Sequence, residues 1–131
     1  MALVMAAVAT AAATATLVAL EGGEVAVIRT HGPDAAARDT RVWIAEDAAG
    51  WWVEAASPER EFVRDVLRTP TTQVRRDGRW HACRAEIAAN PAGHERIRTL
   101  LAAKYGWKDR WIGLVADTSR SLGVRLSCEA S

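Results

Sequence analysis

The sequence lacks the short motifs that identify the commonest enzyme classes. It contains no phosphate-binding Walker loop, no dinucleotide glycine fingerprint, no paired-cysteine zinc motif and no nucleophile elbow. Its three histidines, His31, His81 and His94, are dispersed along the chain, so no metal site is predicted. The formal net charge of +1 argues against a nucleic-acid partner, because binding phosphates along a strand needs a concentrated basic surface.

Cysteine is scarce. Cys83 and Cys128 are the only two, and they stand too far apart for a metal-ligand motif. The expected state is a pair of buried thiols in a reducing compartment. A disulfide is the alternative if the two strands prove to be neighbours and the domain is exported.

Charge, glycine and proline are absent from residues 1–20, and Glu21-Gly22-Gly23 ends this apolar run. A helix of that length would span roughly 30 Å, about the thickness of the hydrocarbon core of a bilayer. Alanine and threonine make its tendency to insert weak, and no basic residue precedes it. We interpret it as a membrane anchor, a helix packed on the domain or on a partner subunit, or a poor signal sequence. The chain is thus divided into residues 1–23 and one domain, 24–131.

The pattern of residues 24–131 predicts short strands and two or three helices in the order βββ-α-ββ-α-α-β. The strands cover residues 25–30, 40–46, 51–55, 71–76, 79–88 and 122–128. Asp77-Gly78 is typical of a two-residue hairpin turn. Because closure removes exposed strand edges, six short strands in a small domain indicate the α+β class with a six-stranded β-barrel.

Cap and proline signals predict where the helices begin and end. Ser57 can cap the first helix, with Pro58 at its first position, and Pro70 ends it. Asn90-Pro91 opens the second helix by the same logic, and Gly106 is well placed to finish it.

Arginines of the first predicted helix are candidate ligand-binding residues. They recur every four residues and so share one side of the helix: Arg60, Arg64 and Arg68. With Ser57 and the N–H groups at the helix start, they could hold a phosphate. The alternative is a solvated face that forms ion pairs with Glu61 and Asp65.

Six tryptophans are many for so short a chain, and they suggest core packing, a slot for a planar ligand or a subunit interface. Trp51 and Trp52 must face opposite sides of their strand. One of them is therefore expected outside the barrel, against a partner subunit or the N-terminal helix. Tyr105, the single tyrosine, is either a core residue with a bonded hydroxyl or a proton donor over a bound ring system.

Four stretches of the sequence are typical of one protein superfamily and occur in its order. They are Arg41-Val42-Trp43-Ile44 in the second strand, residues 62–70 (FVRDVLRTP) in the first helix, Asp77-Gly78 in the hairpin, and Lys104-Tyr105-Gly106 at the end of the second helix. Together they resemble the split-barrel superfamily of flavin and deazaflavin enzymes, which includes pyridoxamine-phosphate oxidase-like proteins and deazaflavin-dependent nitroreductases. The resemblance covers residues 24–128 and implies a split β-barrel.

The resemblance also implies a function, an oxidoreductase similar to nitroreductases or quinone reductases that acts on a small organic substrate. Its cofactor would be FMN or the deazaflavin coenzyme F-420. Ser57, Arg60 and Arg64 would bind the phosphate, and Arg41 and Trp43 would border the ring. Tyr105 would donate a proton to reduced substrate.

A homodimer with cofactor sites between the subunits is implied as well, located in the cytoplasm or held at the membrane through residues 1–20. The alternative is a split barrel without a cofactor that serves as a binding or membrane-tethered module. Two departures favour it: residues 31–39 lack the Gly-basic-x-Ser/Thr-Gly pattern of deazaflavin-binding members, and Asp65 stands where the superfamily has asparagine. A sensor of another planar ligand, such as haem, is the third possibility.

Overall fold

The computed structural model describes residues 24–115 and 117–129, with the backbone alone for residues 113–115. The three interpretations of the N-terminal segment therefore concern residues that lie outside the described part of the chain. Within that part, no helix is both long enough and apolar enough to cross a membrane.

Strands and helices follow the predicted order. The elements are β1 Val25–His31, β2 Ala37–Asp47, β3 Gly50–Ala55, α1 Glu61–Arg68, β4 Thr71–Arg76, β5 Arg79–Ile87, α2 Ala92–Tyr105, α3 Trp107–Val115 and β6 Leu122–Cys128. At the hairpin, Asp77 and Gly78 both have positive φ, 52° and 75°. A two-residue turn whose twist matches that of the strands requires these angles, so the predicted hairpin is confirmed.

The strands form a closed antiparallel barrel in the order β1-β2-β3-β6-β5-β4. Side chains alternate between its interior and its outer face, and the interior is filled by branched aliphatic residues: Ile28, Ile44, Val53, Val74, Val124 and Leu126. Helix α1 adds Phe62, Val63 and Val66 to this core. The predicted α+β barrel is confirmed.

A second, smaller core lies outside the barrel, beneath α2. It contains Ala45, Trp52, Ile97, Leu101 and Tyr105. One of the two adjacent tryptophans therefore faces outward, as the strand register requires. This residue is Trp52, and helix α2 covers it, whereas the N-terminal helix that the sequence suggested as a contact lies outside the described residues.

Helix α1 begins three residues later than the cap signals predicted. Ser57 lies in a turn, in which the N–H of Arg60 donates to the carbonyl of Ser57 at 3.3 Å. The first helical hydrogen bonds run to the carbonyl of Arg60, so Ser57 does not cap the helix. The prediction for α2 is confirmed: the Oδ1 of Asn90 accepts from the N–H of His94 at 3.0 Å, and Gly106 ends the helix with φ of 58°.

Barrel closure places β6 between β3 and β5, and this pairs Cys83 with Cys128 across the strands. The two sulfurs are joined in a disulfide. The expectation of two free thiols is therefore wrong. Forty-five residues separate the two cysteines, which made their pairing invisible to local patterns.

Candidate functional site

A cleft of about 370 Å³ opens on the outer face of the barrel. The strands β1, β2 and β3 supply its floor, and the start of α1 and the middle of α3 supply its walls. Its lining consists of Val25, Thr40, Arg41, Val42, Trp43, Glu54, Ala56, Arg60, Phe62 and Ile112. Its volume lies in the range of small-molecule sites. The structure thus brings together three residues that the sequence singled out: Arg41, Trp43 and Arg60.

Trp43 forms the aromatic part of the cleft. It is half-buried on β2, paired across the strands with Val25. Its ring stacks on that of Tyr105, with 4.3 Å between centroids and 14° between planes. Tyr105 thus supports the indole from α2 and is not part of the lining.

The hydroxyl of Tyr105 is occupied by the main chain. It lies 2.7 Å from the carbonyl oxygen of Glu24 and 2.9 Å from that of Ile44, and it accepts from the N–H of Ile44 at 3.2 Å. Burial raises the pKa of Tyr105 to about 12. This geometry favours the core residue with a bonded hydroxyl over the proton donor.

Two guanidinium groups give the cleft its positive charge. Arg60 is exposed just before the first turn of α1, and none of the described residues forms an ion pair with it. Arg41 lies on β2, opposite Val27 of β1. A guanidinium matches the geometry of a phosphate or carboxylate, so this part of the cleft suits an anionic group.

The other two predicted phosphate contacts lie outside the lining. Ser57 is half-buried in the turn before α1, and Arg64 is exposed one turn further along the helix. The pKa of the nearby Glu59 carboxyl is lowered by its hydrogen bond with Arg120 and, to a smaller degree, by one with Ser57. The structure therefore does not gather Ser57 and Arg64 with the cleft arginines.

Asp65 is buried within the fold. Its carboxylate accepts from the Thr30 hydroxyl at 2.8 Å and from Arg68 at 2.7 Å, and Arg38 approaches it at 3.2 Å. Arg38 also pairs with the exposed Glu61. The acid therefore ties α1 to β1 and β2 and puts no negative charge into the cleft. For Arg68, the ion-pair alternative is the one observed.

One acidic residue of the lining escaped the sequence analysis. Glu54 accepts from Nη1 of Arg98 with both carboxylate oxygens at 3.1 Å. Nη2 of the same arginine donates to both oxygens of Asp109 at 2.8 Å. Asp109 is buried on α3, the helix that also carries Ile112 into the cleft wall. Strand alternation puts Glu54 on the same outward face as Trp52, but only the fold shows that two helices meet it there.

The lining offers little to a metal ion. Among the described residues that border the cleft there is no histidine, cysteine, methionine or tyrosine. The described parts of the chain also contain no cluster of three or more residues able to hold a metal ion. The cleft instead combines apolar walls, one indole, two guanidiniums and one carboxylate, which suits a flat organic molecule with an anionic group.

No protein-family model matches the chain, and no curated protein matches its sequence. Solved structures do match. The heme storage protein HutZ from Vibrio cholerae has a TM-score of 0.64 at 10% identity, covering 86% of this chain and 87% of that one. A putative pyridoxamine 5'-phosphate oxidase from Listeria innocua has a TM-score of 0.60 at 16% identity, covering 87% and 90%. An F420 reductase has a TM-score of 0.54 at 15% identity, covering 82% and 87%. The chain therefore shares its barrel fold with these proteins, and this is the fold that the sequence resemblance predicted.

Proposed function

We propose that the cleft binds a flavin or deazaflavin, either FMN or coenzyme F-420, and that the protein is an oxidoreductase acting on a small organic substrate. One observation carries the proposal: Arg41, Trp43 and Arg60, each expected to contact such a cofactor, lie in one cleft of suitable volume. The split-barrel structures that match this chain include an oxidase-like protein and an F420 reductase, which supports a flavin-type ligand.

The residues divide the work of binding between ring and phosphate. Trp43 and Arg41 would border the flat ring, while Arg60 would hold the anionic group and the charge of Arg41 would add to its attraction. The cofactor supplies the hydride chemistry when bound, and this chain supplies binding, orientation and exclusion of water. Phosphate contacts from Ser57 and Arg64, and proton donation by Tyr105, stay predictions, as does the nitroreductase-like substrate class.

Titration tests this proposal directly. We expect saturable quenching of tryptophan fluorescence with FMN or with coenzyme F-420. Arg60→Gln should weaken binding about tenfold, because a charge-assisted hydrogen bond to phosphate is lost. Arg79→Gln is the control, because Arg79 is an exposed arginine of β5 outside the cleft lining, and it should bind like the wild type. No saturable change with either cofactor would refute the proposal.

Haem is less well suited to this cleft than a flavin. The described residues that line the cleft include no histidine, cysteine, methionine or tyrosine to bind iron, although a heme storage protein shares the fold. The absorption spectrum of the isolated protein, with mass spectrometry of any released chromophore, separates the possibilities. A protein that neither carries nor takes up a chromophore would be the cofactor-free binding module.

We also propose that the protein is a homodimer. Trp80 on β5 and Trp107 at the start of α3 are large exposed side chains, 41% and 53% accessible, of the kind enriched at subunit contacts. Light scattering should give twice the mass of one chain, and Trp80→Glu should shift it toward the monomer. A monomeric wild type would contradict this.

A cytoplasmic location and membrane contact through residues 1–20 stay predictions, to be checked by fractionating cells that express the chain with and without those residues.

A further inference from the structure

We infer that Glu54, held in place by Arg98, selects the ligand of the cleft by accepting a hydrogen bond from a ring N–H. The inference rests on the proposed function, because it assumes that a ring-bearing ligand occupies the cleft. It adds a specificity-determining residue that the sequence motifs do not point to.

Glu54 is positioned to contact a ligand in the cleft. It lies on the outer face of β3, paired with Gly123 of β6, and it is the only acidic side chain among the described residues that line the cleft. Its side chain is 17% exposed. A carboxylate so far removed from water needs hydrogen-bond donors for its oxygens, since an unsatisfied buried charge is costly.

Arg98 satisfies only part of that need. A single nitrogen, Nη1, contacts both oxygens of Glu54, whereas an ionised carboxylate can accept about four hydrogen bonds. The remaining lone pairs are available to a donor in the cleft. Because Arg98 is also bound to both oxygens of Asp109, Glu54 cannot swing away without breaking the link between β3 and the two helices.

The charges of the cleft then set the orientation of the ligand. Glu54 and Asp109 share one guanidinium, so this triad keeps a net negative charge. An anionic group would be repelled there and attracted by Arg41 and Arg60. A ligand that fits must therefore carry an anion for the arginines and an N–H donor for Glu54. Flavin and deazaflavin rings have such an N–H, the imide N3–H between two carbonyls of the pyrimidine ring.

Methylation of that imide nitrogen provides the test. We compare FMN and coenzyme F-420 with their N3-methyl forms by fluorescence titration. The wild type should bind the N3–H form roughly tenfold more tightly or better, because the methyl group leaves the carboxylate without its donor. In Glu54→Ala the two forms should bind about equally. Glu86→Gln is the matched control, since Glu86 is also paired with an arginine, Arg125 at 2.8 Å, but does not line the cleft.

The outcomes separate the inference from the proposed function. If the wild type binds both forms equally, or if Glu54→Ala still discriminates, the role of Glu54 is wrong while the cofactor proposal stands. If neither FMN nor F-420 binds, the proposed function fails and the inference with it.

The role of Arg98 is tested by the ratio of the affinities for the N3–H and N3-methyl forms. If Arg98 positions Glu54, the Arg98→Gln protein should no longer prefer the N3–H form. The Arg98→Lys protein, which keeps the positive charge, should recover part of that preference. A purely structural role would weaken binding of both forms alike and leave their ratio unchanged. That result would overturn the positioning role.

Discussion

Tyr105 is the single tyrosine of the chain, so its hydroxyl can be followed without interference. Burial raises its pKa from the ordinary value of 10 to about 12, because the phenolate would be removed from water. The neutral form is thus favoured in the folded state. Stability is unaffected below pH 10 and is lost as the pH rises from 10 toward 12, where only the unfolded chain ionises readily.

We expect tyrosinate absorbance to appear near pH 12 in the folded protein and near pH 10 in protein unfolded by denaturant. The unfolded sample is the control. A folded protein that titrates at pH 10 or below would contradict the buried hydroxyl and would revive the role of Tyr105 as a proton donor in the cleft.

Asp65 is the buried acid on which α1 depends. Asp65→Asn keeps an acceptor for Thr30 but removes the charge that faces Arg38 and Arg68. Both arginines are partly exposed and can be hydrated, so we expect a loss of about 2 kcal/mol in the free energy of unfolding, below the usual cost of breaking a fully buried pair. Urea unfolding measures it.

Glu61→Gln is the control for that variant. Its carboxylate also pairs with Arg38, but its side chain is 74% exposed, and exposed pairs contribute little. We expect a change within about 0.5 kcal/mol. Equal stabilities of Asp65→Asn and the wild type would show that the buried contacts do not hold α1.

At the scale of elements, the close approach of α2 to β6 depends on the absence of a side chain at Gly123. A Cβ on Gly123 would lie 2.6 Å from the carbonyl oxygen of Gly93. This oxygen belongs to the main chain, which cannot give way as a flexible side chain can. Gly123→Ala should therefore lower the free energy of unfolding by about 1–3 kcal/mol, the usual cost of overpacking.

Ser127→Ala, an exposed change on the same strand, is the control and should be nearly neutral. Thermal unfolding of both variants checks the expectation. A Gly123→Ala protein as stable as the wild type would mean that α2 lies further from β6 than described.

The sequence predicts elements best where the signal is local. The bounds of β4 and β6 and the hairpin at Asp77-Gly78 follow from alternation and turn chemistry alone. The predicted start of α1 at Pro58 was wrong, because a cap signal such as Ser57-Pro58 shows only that a helix can begin there. Packing against the barrel decides where the helix does begin. The apolar face carried by Phe62 enters the core, and this fixes the start at Glu61.

The candidate site was predictable only in part. The regular spacing of Arg60, Arg64 and Arg68 indicated anion binding, whereas the ring contacts of Arg41 and Trp43 were implied by the family resemblance. Glu54 could not be linked to Arg98, because forty-four positions separate them and α2 had first to be placed on the barrel. Distance along the sequence likewise hid the contact of Asp65 with Arg38 of β2.

For the whole molecule, the disulfide is the strongest single constraint. The cross-link lowers the conformational entropy of the unfolded chain. For a sequence separation of 45 residues, this stabilises the fold by roughly 4 kcal/mol. A reducing agent should therefore lower the melting temperature of the wild type. The double variant Cys83→Ser with Cys128→Ser should melt at that lower temperature and be insensitive to the reductant. A wild type that does not respond would contradict the cross-link.

The bond also bears on where the protein resides. Disulfides persist mainly in oxidising compartments, whereas the sequence predicted the cytoplasm. Alkylation of free thiols in freshly lysed cells, followed by mass spectrometry of the protein, distinguishes the cytoplasm from an oxidising compartment. Two alkyl groups would support the cytoplasmic prediction, and none would favour an exported domain.

The strand order has a consequence for synthesis on the ribosome. β6 is made after the other five strands, yet it lies between β3 and β5, so those two strands emerge with unpaired edges. Until the last strand arrives, each edge can pair with a neighbouring nascent chain. A chain truncated before β6 should thus form aggregates rather than a smaller barrel. Chaperones should bind it at the exposed edges of β3 and β5.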